Sequence, residues 1–339
     1  MEMIIPNASQ FAVDLTDHAH AGHARRMAIR CAEDINLGES ERGAVAIAVT
    51  EMATNILKHA GRGKVICEPV CTNGSQGLRL MAVDGGPGIR DVTAALRDGY
   101  STAGTPGNGL GAVRRLATHF EMYTLPERGT CIVAEFWAHK KLPKAAPLQV
   151  GVVCLPIGGE SVCGDGWNRT THADRSYLMV VDGLGHGEFA AEAAREAERI
   201  FADARDSSPQ AILRDCHDAL KKTRGAAVAI AALDHSKGTL SFCGVGNISA
   251  VLTNGQGRRG LASHNGTVGH HFPRSQEFTY PWDEDSVLIM HSDGVSSRWD
   301  LDKYPGIMSR NPSVMAALLY RDFARQRDDA TVLVAKNRE

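Results

Sequence analysis

The chain has 339 residues, of which 43% are hydrophobic and 22% are charged, and its formal net charge is -2 at pH 7. This length suits two domains of ordinary size, and the near-neutral charge lacks the basic excess of a nucleic-acid-binding protein. No stretch approaches the roughly 18 apolar residues of a membrane span, and MEMIIPNASQ is not patterned as a signal peptide. We therefore predict a cytoplasmic protein without nucleic-acid or membrane partners, and leave open whether it forms a homo-oligomer.

The first predicted elements are two helices, over residues 17–36 and 40–60. Apolar residues recur at near-helical spacing in the second helix, after a candidate N-cap at Ser40. Four β-rich runs follow, with a helical segment from about 108 to 118 between the second and the third: KVICEPV, LRLMAVD, FEMYTL and CIVAEFW. Helices on one side of a mixed sheet predict an α/β sandwich.

Polar residues follow a helical spacing in TEMATNILKHA. Glu51 and Asn55 are four residues apart and Lys58 follows three residues later, so a helix presents the pair on one face. A carboxylate can take a proton from a hydroxyl group, and an amide oxygen can hold Mg²⁺. For the pair alone, an ordinary exposed helix face is the favoured interpretation.

Two glycine-rich turns follow this helix. LRLMAVDGGPGI ends a strand at Asp84, where glycines allow close backbone approach and the carboxylate can accept a bond from an exocyclic amine. STAGTPGNGLGAVRRLA runs into a helix, whose N-terminus suits an anion. Each turn alone is weak evidence, but both in this order behind Glu51 and Asn55 make a nucleotide site a much stronger hypothesis.

These motifs give residues 1–137 a resemblance to the GHKL ATP-binding fold, carried by EMATN, DGGPG, GNGLG and a final GT. LKHA, DGYST and GLGAVRRLA are most similar to the RsbT-type serine kinases. The resemblance implies that Glu51 is the general base, Asn55 the Mg²⁺ ligand and Asp84 the acceptor of the adenine amine. The further cofactor-binding candidates are Lys58, Gly86, Gly88, Gly107, Gly109, Gly111 and Thr130.

The stretch AHKKLPKAAPLQ carries two prolines and three lysines without apolar periodicity, which is typical of a solvated linker. We predict domains at 1–138 and 149–339, joined by a linker at 139–148. Beyond it, strand-like runs alternate with helical patterns at about 187–205, 209–223 and 313–325, which predicts a second α/β or α+β domain.

Acidic residues mark the strand-like runs of the second region: Asp165 in CGDGW, Asp182 in VVDGLGHG, Asp293 in LIMHSDGV, and Asp328 with Asp329 in QRDDATVLV. Carboxylates are hard ligands that suit Mg²⁺ or Mn²⁺, and several buried together would repel one another without a cation. Two such ions can activate a shared water for attack on phosphorus. A single Asp-Gly pair is a common turn, but four clusters favour a metal site.

Residues 148–339 resemble the PPM-type serine/threonine phosphatases, within them the SpoIIE-like group and especially the RsbX-type phosphatases, through GDGW, VVDGLGHG, GVGNI, SDGV and RDDATVLVA. The resemblance implies an α-β-β-α sandwich in which Asp182 bridges the metals and Gly183 offers a carbonyl. Asp293 and Asp328 would complete the second metal's shell, with Asp165 supporting through water. A role of Asp329 as a turn partner is left open.

Other residues of this region keep two interpretations. His186 either contacts phosphate or only satisfies backbone groups. Arg169 and Arg175 are candidates for a phosphate-binding arginine. Cys243 and Asn247 either face the substrate or belong to a tight turn between strands.

Together the two regions predict a serine/threonine kinase and a metal-dependent phosphatase of opposite sense, using ATP, Mg²⁺ and Mn²⁺. The family resemblance implies that their shared substrate is a STAS-domain antagonist of a bacterial partner-switching pathway. Three alternatives stay open. The first domain senses ATP for the phosphatase, or it sequesters an effector, or the phosphatase is the sole enzyme of the chain.

Overall fold

The computed structural model describes residues 10–338 except 73, 98–108, 144–145, 205–206, 255–256 and 273. Backbone contacts divide the chain into two compact units. The first consists of Met1–Ala146 with Leu301–Arg321, and the second of Pro147–Asp300 with Asp322–Glu339. The segment 301–321 thus groups with the first unit, although its position in the sequence predicts the second domain. The domain limits 1–138 and 149–339 stay a prediction.

The first unit contains one antiparallel five-stranded sheet and its helices. Its elements are β1 (Phe11–Leu15), α1 (His18–Asp34), α2 (Glu39–Asn55), β2 (Gly63–Thr72), β3 (Ser75–Asp84), α3 (Val92–Ala95), α4 (Gly109–Leu116), β4 (His119–Thr124) and β5 (Thr130–Trp137). The strand order is β1-β2-β3-β5-β4. A π-helical turn at Ile56–Ala60 continues α2, so the helix predicted over 40–60 changes its winding near its end.

The apolar core of this unit lies between the sheet and its helices. Leu78 and Leu80 of β3 and Phe136 of β5 belong to one buried cluster with Val49 and Met52 of α2. Alternate strand residues face this layer, because side chains along a strand point to opposite faces. The packing fixes the end of α2 against the sheet, close to the point where β3 ends.

The second unit contains two antiparallel five-stranded sheets. Its elements are β6 (Leu148–Leu155), β7 (Asp165–His172), β8 (Arg175–Gly183), α5 (Glu188–Asp203), α6 (Pro209–Leu220), β9 (Ala226–Asp234), β10 (Thr239–Val245), β11 (Ser249–Asn254), β12 (Gly257–Leu261), β13 (Phe278–Pro281), β14 (Val287–His291) and β15 (Ala330–Asn337). One sheet has the order β13-β10-β9-β8-β7, and the other β12-β11-β14-β15-β6.

Strand β8 shows how this unit is layered. Leu178 and Val180 belong to the cluster that both sheets share, whereas Tyr177, Met179 and Val181 belong to the cluster that contains α5 and α6. A strand buried on both faces is apolar at successive positions, which explains the run YLMVV. The predicted fold class, an α/β sandwich followed by a layered α/β phosphatase-type sandwich, is confirmed.

The segment 301–321 contains short helical turns at Leu301–Lys303 and Ile307–Ser309 and most of α7 (Pro312–Phe323). The Tyr123 hydroxyl donates to the Pro305 carbonyl at 3.1 Å, and the Asn311 amide donates to the Glu121 carboxylate at 3.2 Å. These bonds join the segment to β4. In the part of the chain that the structure describes, no helix is long and apolar enough to cross a membrane.

Candidate functional sites

A cavity of about 400 Å³ lies beside the end of α2 in the first unit. This volume is within the usual range for small-molecule sites. Of the predicted residues, those in its wall are Glu51, Asn55, Lys58, Asp84, Gly88, Gly109 and Thr130. Gly86 and Gly111 lie outside the lining, and Gly107 lies outside the described residues. Helix α2 with its π-helical turn, strands β3 and β5, the loop after β3 and the start of α4 therefore bring seven of the ten predicted nucleotide residues to one cavity.

Asp84 is held at the end of β3, directly opposite Thr130 in the ladder with β5. Its Oδ1 accepts a hydrogen bond from the Gly86 amide at 2.9 Å. Burial raises the pKa of Asp84, and the Gly86 N–H and the nearby Arg321 guanidinium oppose that rise. Gly129 has a φ of +77°, and a Cβ there would overlap the Asp84 carbonyl, so this turn requires glycine.

The side-chain amide nitrogen of Asn55 lacks a hydrogen-bond acceptor among the described residues. This atom, Nδ2, is buried. The same nitrogen lies 3.9 Å from the position of a Cβ built on Gly109, the first residue of α4. Because buried polar groups are normally paired, a ligand with acceptor oxygens fits here. These groups suit Mg·ATP, because the Asn55 amide nitrogen can donate to phosphate oxygens, its amide oxygen is a hard ligand for Mg²⁺, and the Asp84 carboxylate can accept a bond from an amine.

The acidic residues of the second unit lie at the ends of strands from both sheets. Asp165 and Asp182 are direct partners across β7 and β8, Asp293 follows β14, and Asp328 precedes β15. Burial raises the pKa of Asp182, and the charges of Asp165 and Asp293 raise it further. The described His, Cys, Asp and Glu side chains form no ready-made cage of three metal ligands, but the carboxylates are close enough to disfavour one another's charge. A divalent cation fits this donor set.

Hydrogen bonds from neighbouring groups hold three of the acidic side chains in place. The Ser292 hydroxyl donates to Asp165 Oδ2 at 2.6 Å, and the Asn247 amide donates to Asp293 Oδ2 at 2.7 Å. Asp329 accepts bonds from the backbone amides of Ile157 and Gly164, each at 2.7 Å. Asp329 therefore braces two loops, and Asn247 orients Asp293. The GVGN turn indicated Asn247, but not what it contacts.

Gly183 keeps the turn after Asp182 close to α5. A Cβ at this position would overlap the Ala190 carbonyl, and the Gly183 amide donates to the Gly164 carbonyl at 3.1 Å. Only glycine fits such a close approach between backbones. The turn is therefore fixed by packing and by its hydrogen bond, and the Gly183 carbonyl is a candidate hard oxygen ligand.

The structure also shows where the other candidate substrate-binding residues of this region lie. His186 Nδ1 lies 2.9 Å from Glu160 Oε1, and Cys243 is fully buried. Arg175 pairs with Asp234 at the opposite end of β8 from Asp182, about 23 Å away at 3.3 Å per residue. Arg169 lies opposite Leu178 in the middle of β7, the edge strand of its sheet. Neither arginine is placed at the acidic cluster.

Two family models match the chain. Residues 15–136 match the histidine kinase-like ATPase domain, and residues 172–338 match stage II sporulation protein E (SpoIIE). The chain is 36% identical over 114 residues to the serine/threonine-protein kinase RsbT of Bacillus subtilis (strain 168). This alignment covers 34% of the chain and 86% of RsbT. The chain is also 25% identical over 150 residues to the phosphoserine phosphatase RsbX of the same organism. This second alignment covers 44% of the chain and 75% of RsbX.

The second region also has a likeness among solved structures. A crystal structure of RsbX in complex with magnesium aligns with a TM-score of 0.50 and 21% identity, over 58% of this chain and 99% of that one. At this identity the likeness concerns the fold. The strand ends that carry the acidic cluster belong to that fold.

Proposed function

Because the chain belongs to the histidine kinase-like ATPase family and carries a SpoIIE-type phosphatase domain, we propose that it both adds and removes phosphate on one partner protein. The first region would transfer phosphate from ATP to a serine or threonine hydroxyl, and the second would hydrolyse the resulting monoester. Their relatives are named for these opposite activities. A STAS-domain antagonist is the partner that the family resemblance favours.

The phosphatase proposal is carried by the convergence of Asp182 with Asp165, Asp293 and Asp328 from two sheets. Asp182, Asp293, Asp328 and the Gly183 carbonyl would hold Mg²⁺ or Mn²⁺, with Asp165 behind them. When bound, the cations supply an activated water. The chain's own residues contribute rigidity, because strands aim the carboxylates. Ser292 orients Asp165 and Asn247 orients Asp293, while Asp329 holds the adjoining loops.

The kinase proposal is supported by the cavity of the first unit. Glu51 in its wall would accept the proton of the attacking hydroxyl, while Asn55 and Lys58 would face the phosphates. Asp84 would accept a bond from the adenine amine. Transfer thus needs positioning and charge neutralisation from these side chains, and no covalent intermediate on the protein.

The test follows labelled phosphate from γ-labelled ATP to a candidate STAS-domain protein with Mg²⁺ or Mn²⁺, comparing wild type with Asp182→Ala and Glu51→Ala. We expect label to accumulate with Asp182→Ala, to turn over with wild type and to be absent with Glu51→Ala. Asp218→Ala serves as the matched control, because Asp218 is an exposed aspartate that pairs only with Lys221 among its described neighbours. Absence of label with every variant would contradict the kinase half of the proposal.

A second candidate for the first region is an ATP sensor that regulates the phosphatase. The supporting observation is that Arg321 Nη1 donates to the Asp84 carbonyl at 3.1 Å, although Arg321 lies within the residues matched by the SpoIIE model. For a sensor, a non-hydrolysable ATP analogue should change the phosphatase rate of Glu51→Ala as much as that of wild type. Arg321→Ala should abolish this response, and a rate indifferent to the analogue would exclude the sensor.

A further inference from the structure

The turn after Asp182, residues 183–187, faces a loop that the sequence analysis did not single out. The Leu184 amide donates to the Gly225 carbonyl at 3.0 Å, which places the connection between α6 and β9 directly opposite the turn. In the same loop the Thr223 hydroxyl donates to the Leu220 carbonyl at 2.8 Å and accepts from the Gly225 amide at 3.0 Å. Arg224 is therefore presented from a hydrogen-bonded loop.

The guanidinium of Arg224 lies over the turn. Its Nη1 is 3.2 Å from the position of a Cβ built on Gly185, and its Cζ is 4.8 Å from the centre of the Phe189 ring. Asp182 pairs with Ala227 of β9, and Arg224 lies three residues before Ala227, in the loop that leads into this strand. Arg224 therefore reaches the turn that directly follows Asp182.

Arg224 also differs from the arginines of the adjacent helix in its partners. Arg195 pairs with Glu188 and Arg199 pairs with Glu196, both on α5. Across the described ranges, Arg224 has no carboxylate within ion-pair distance. Its guanidinium instead lies over the Phe189 ring. A ring face orients the guanidinium without neutralising it. Its N–H groups therefore stay available to an anion.

Two exposed apolar side chains flank this cation. Leu184 is 46% exposed and Phe189 is 62% exposed, which is unusual for large apolar side chains beside a site. Exposed apolar side chains beside a polar group are a common feature of surfaces that bind another protein. A small phosphate ester is too short to contact both side chains, whereas the polypeptide around a phosphoserine would cover them.

We propose that Arg224 binds the phosphoryl group of a phosphoserine or phosphothreonine protein, and that Leu184 and Phe189 contact the polypeptide on either side of the phosphorylated residue. This inference rests on the proposed phosphatase activity and specifies how its substrate is recognised. The planar guanidinium suits two oxygens of one phosphoryl group at once. Arg224 thus takes the place for which Arg169 and Arg175 were the sequence-based candidates.

The test compares Arg224→Ala, Arg224→Lys and Phe189→Ala on p-nitrophenyl phosphate and on phosphorylated casein, with Mn²⁺. Losing charge-assisted bonds to phosphate should raise KM about tenfold or more for both substrates in Arg224→Ala. Arg224→Lys should recover part of that loss, because a lysine keeps the charge without the paired geometry. Phe189→Ala should raise KM for casein more than for p-nitrophenyl phosphate, because it removes a polypeptide contact as well as the ring that orients Arg224. Arg214→Ala and Ile47→Ala, which change an exposed arginine and an exposed apolar residue elsewhere, are the matched controls.

Unchanged KM values in Arg224→Ala on both substrates would overturn the inference while leaving the proposed activity standing. If wild type hydrolyses neither substrate, the proposed phosphatase function fails instead. Calorimetry with inorganic phosphate in the presence of Mn²⁺ then decides the role of Arg224 without catalysis. Weaker binding by Arg224→Ala than by wild type supports the inference, and equal binding contradicts it.

Discussion

The two candidate sites differ in the property that would select their ligands. The first unit has a cavity of about 400 Å³ with a buried, unpaired Asn55 amide among its described residues. The second has carboxylates so close together that burial and mutual charge raise the pKa of Asp182. The first site therefore selects by shape and hydrogen bonds, and the second by charge. One fits a large anion, and the other fits small cations.

The largest effect is expected at the charge-selected site. Asp182→Ala should lower the hydrolysis of p-nitrophenyl phosphate more than about 100-fold, because even outer-shell changes at metal sites cost about 10- to 100-fold. Initial rates with Mn²⁺ measure this loss. Asp218→Ala should keep wild-type rates, and ATP binding should be the same in both variants. Near-normal hydrolysis by Asp182→Ala would refute the metal assignment.

Asp329→Ala tests whether the bracing carboxylate has a different role from its neighbours. The variant loses acceptors for the Ile157 and Gly164 amides, while it also relieves repulsion from Asp328. We expect the free energy of unfolding to fall by about 2–3 kcal/mol in urea titrations, since bonds to charged groups contribute about 1.5–3 kcal/mol each. Asp329→Asn keeps one good acceptor and should lose less; equal losses would contradict the bracing role.

Asn55→Ala tests the shape-selected site. Without the amide, the affinity for ATP in the presence of Mg²⁺ should fall about 10- to 100-fold, as expected for lost bonds to charged oxygens. Calorimetry with and without Mg²⁺ measures the change. Glu39→Ala, an exposed change at the other end of α2, is the control. Hydrolysis of p-nitrophenyl phosphate should stay constant, and unaltered Mg²⁺-dependent binding would remove Asn55 from the nucleotide site.

The smallest effect is expected for Asn247→Ala, which removes the donor to Asp293. Because Asp293 is a proposed metal ligand and Asn247 would act through it, we expect about tenfold more Mn²⁺ to be needed for half-maximal activity. The maximal rate at saturating Mn²⁺ should change little. An unchanged Mn²⁺ titration would show that Asp293 is oriented without this bond.

Local patterns predicted much of both sites. The four-residue spacing of Glu51 and Asn55 depends only on helical periodicity, and the structure places both in the cavity wall. The aspartates were found because each adjoins an apolar strand. The residue pattern alone could not separate the roles of Asp328 and Asp329, because adjacent loop residues can point in different directions until the neighbouring strands are placed. The family resemblance alone assigned a metal to Asp328 and left Asp329 as a possible turn partner.

Arg224 and the segment 301–321 were missed for a related reason. Arg224 has no motif around it, and it acquires a role only because β9 pairs with β8 beside the turn that follows Asp182. The segment 301–321 reads as ordinary phosphatase sequence, yet its bonds to Glu121, Tyr123 and Asp84 group it with the first unit. Such contacts join residues that are 182 or more positions apart.

The sequence by itself determined the two α/β regions and the chemistry proposed for each, because periodicity, glycine turns and strand-end carboxylates are local properties of the chain. Only the tertiary structure decided that Asp329 braces two loops, that Arg224 lies beside the turn after Asp182, and that residues 301–321 group with the first unit. Those choices depend on strand pairing and on the hydrogen bonds of buried groups, and both are settled by long-range packing.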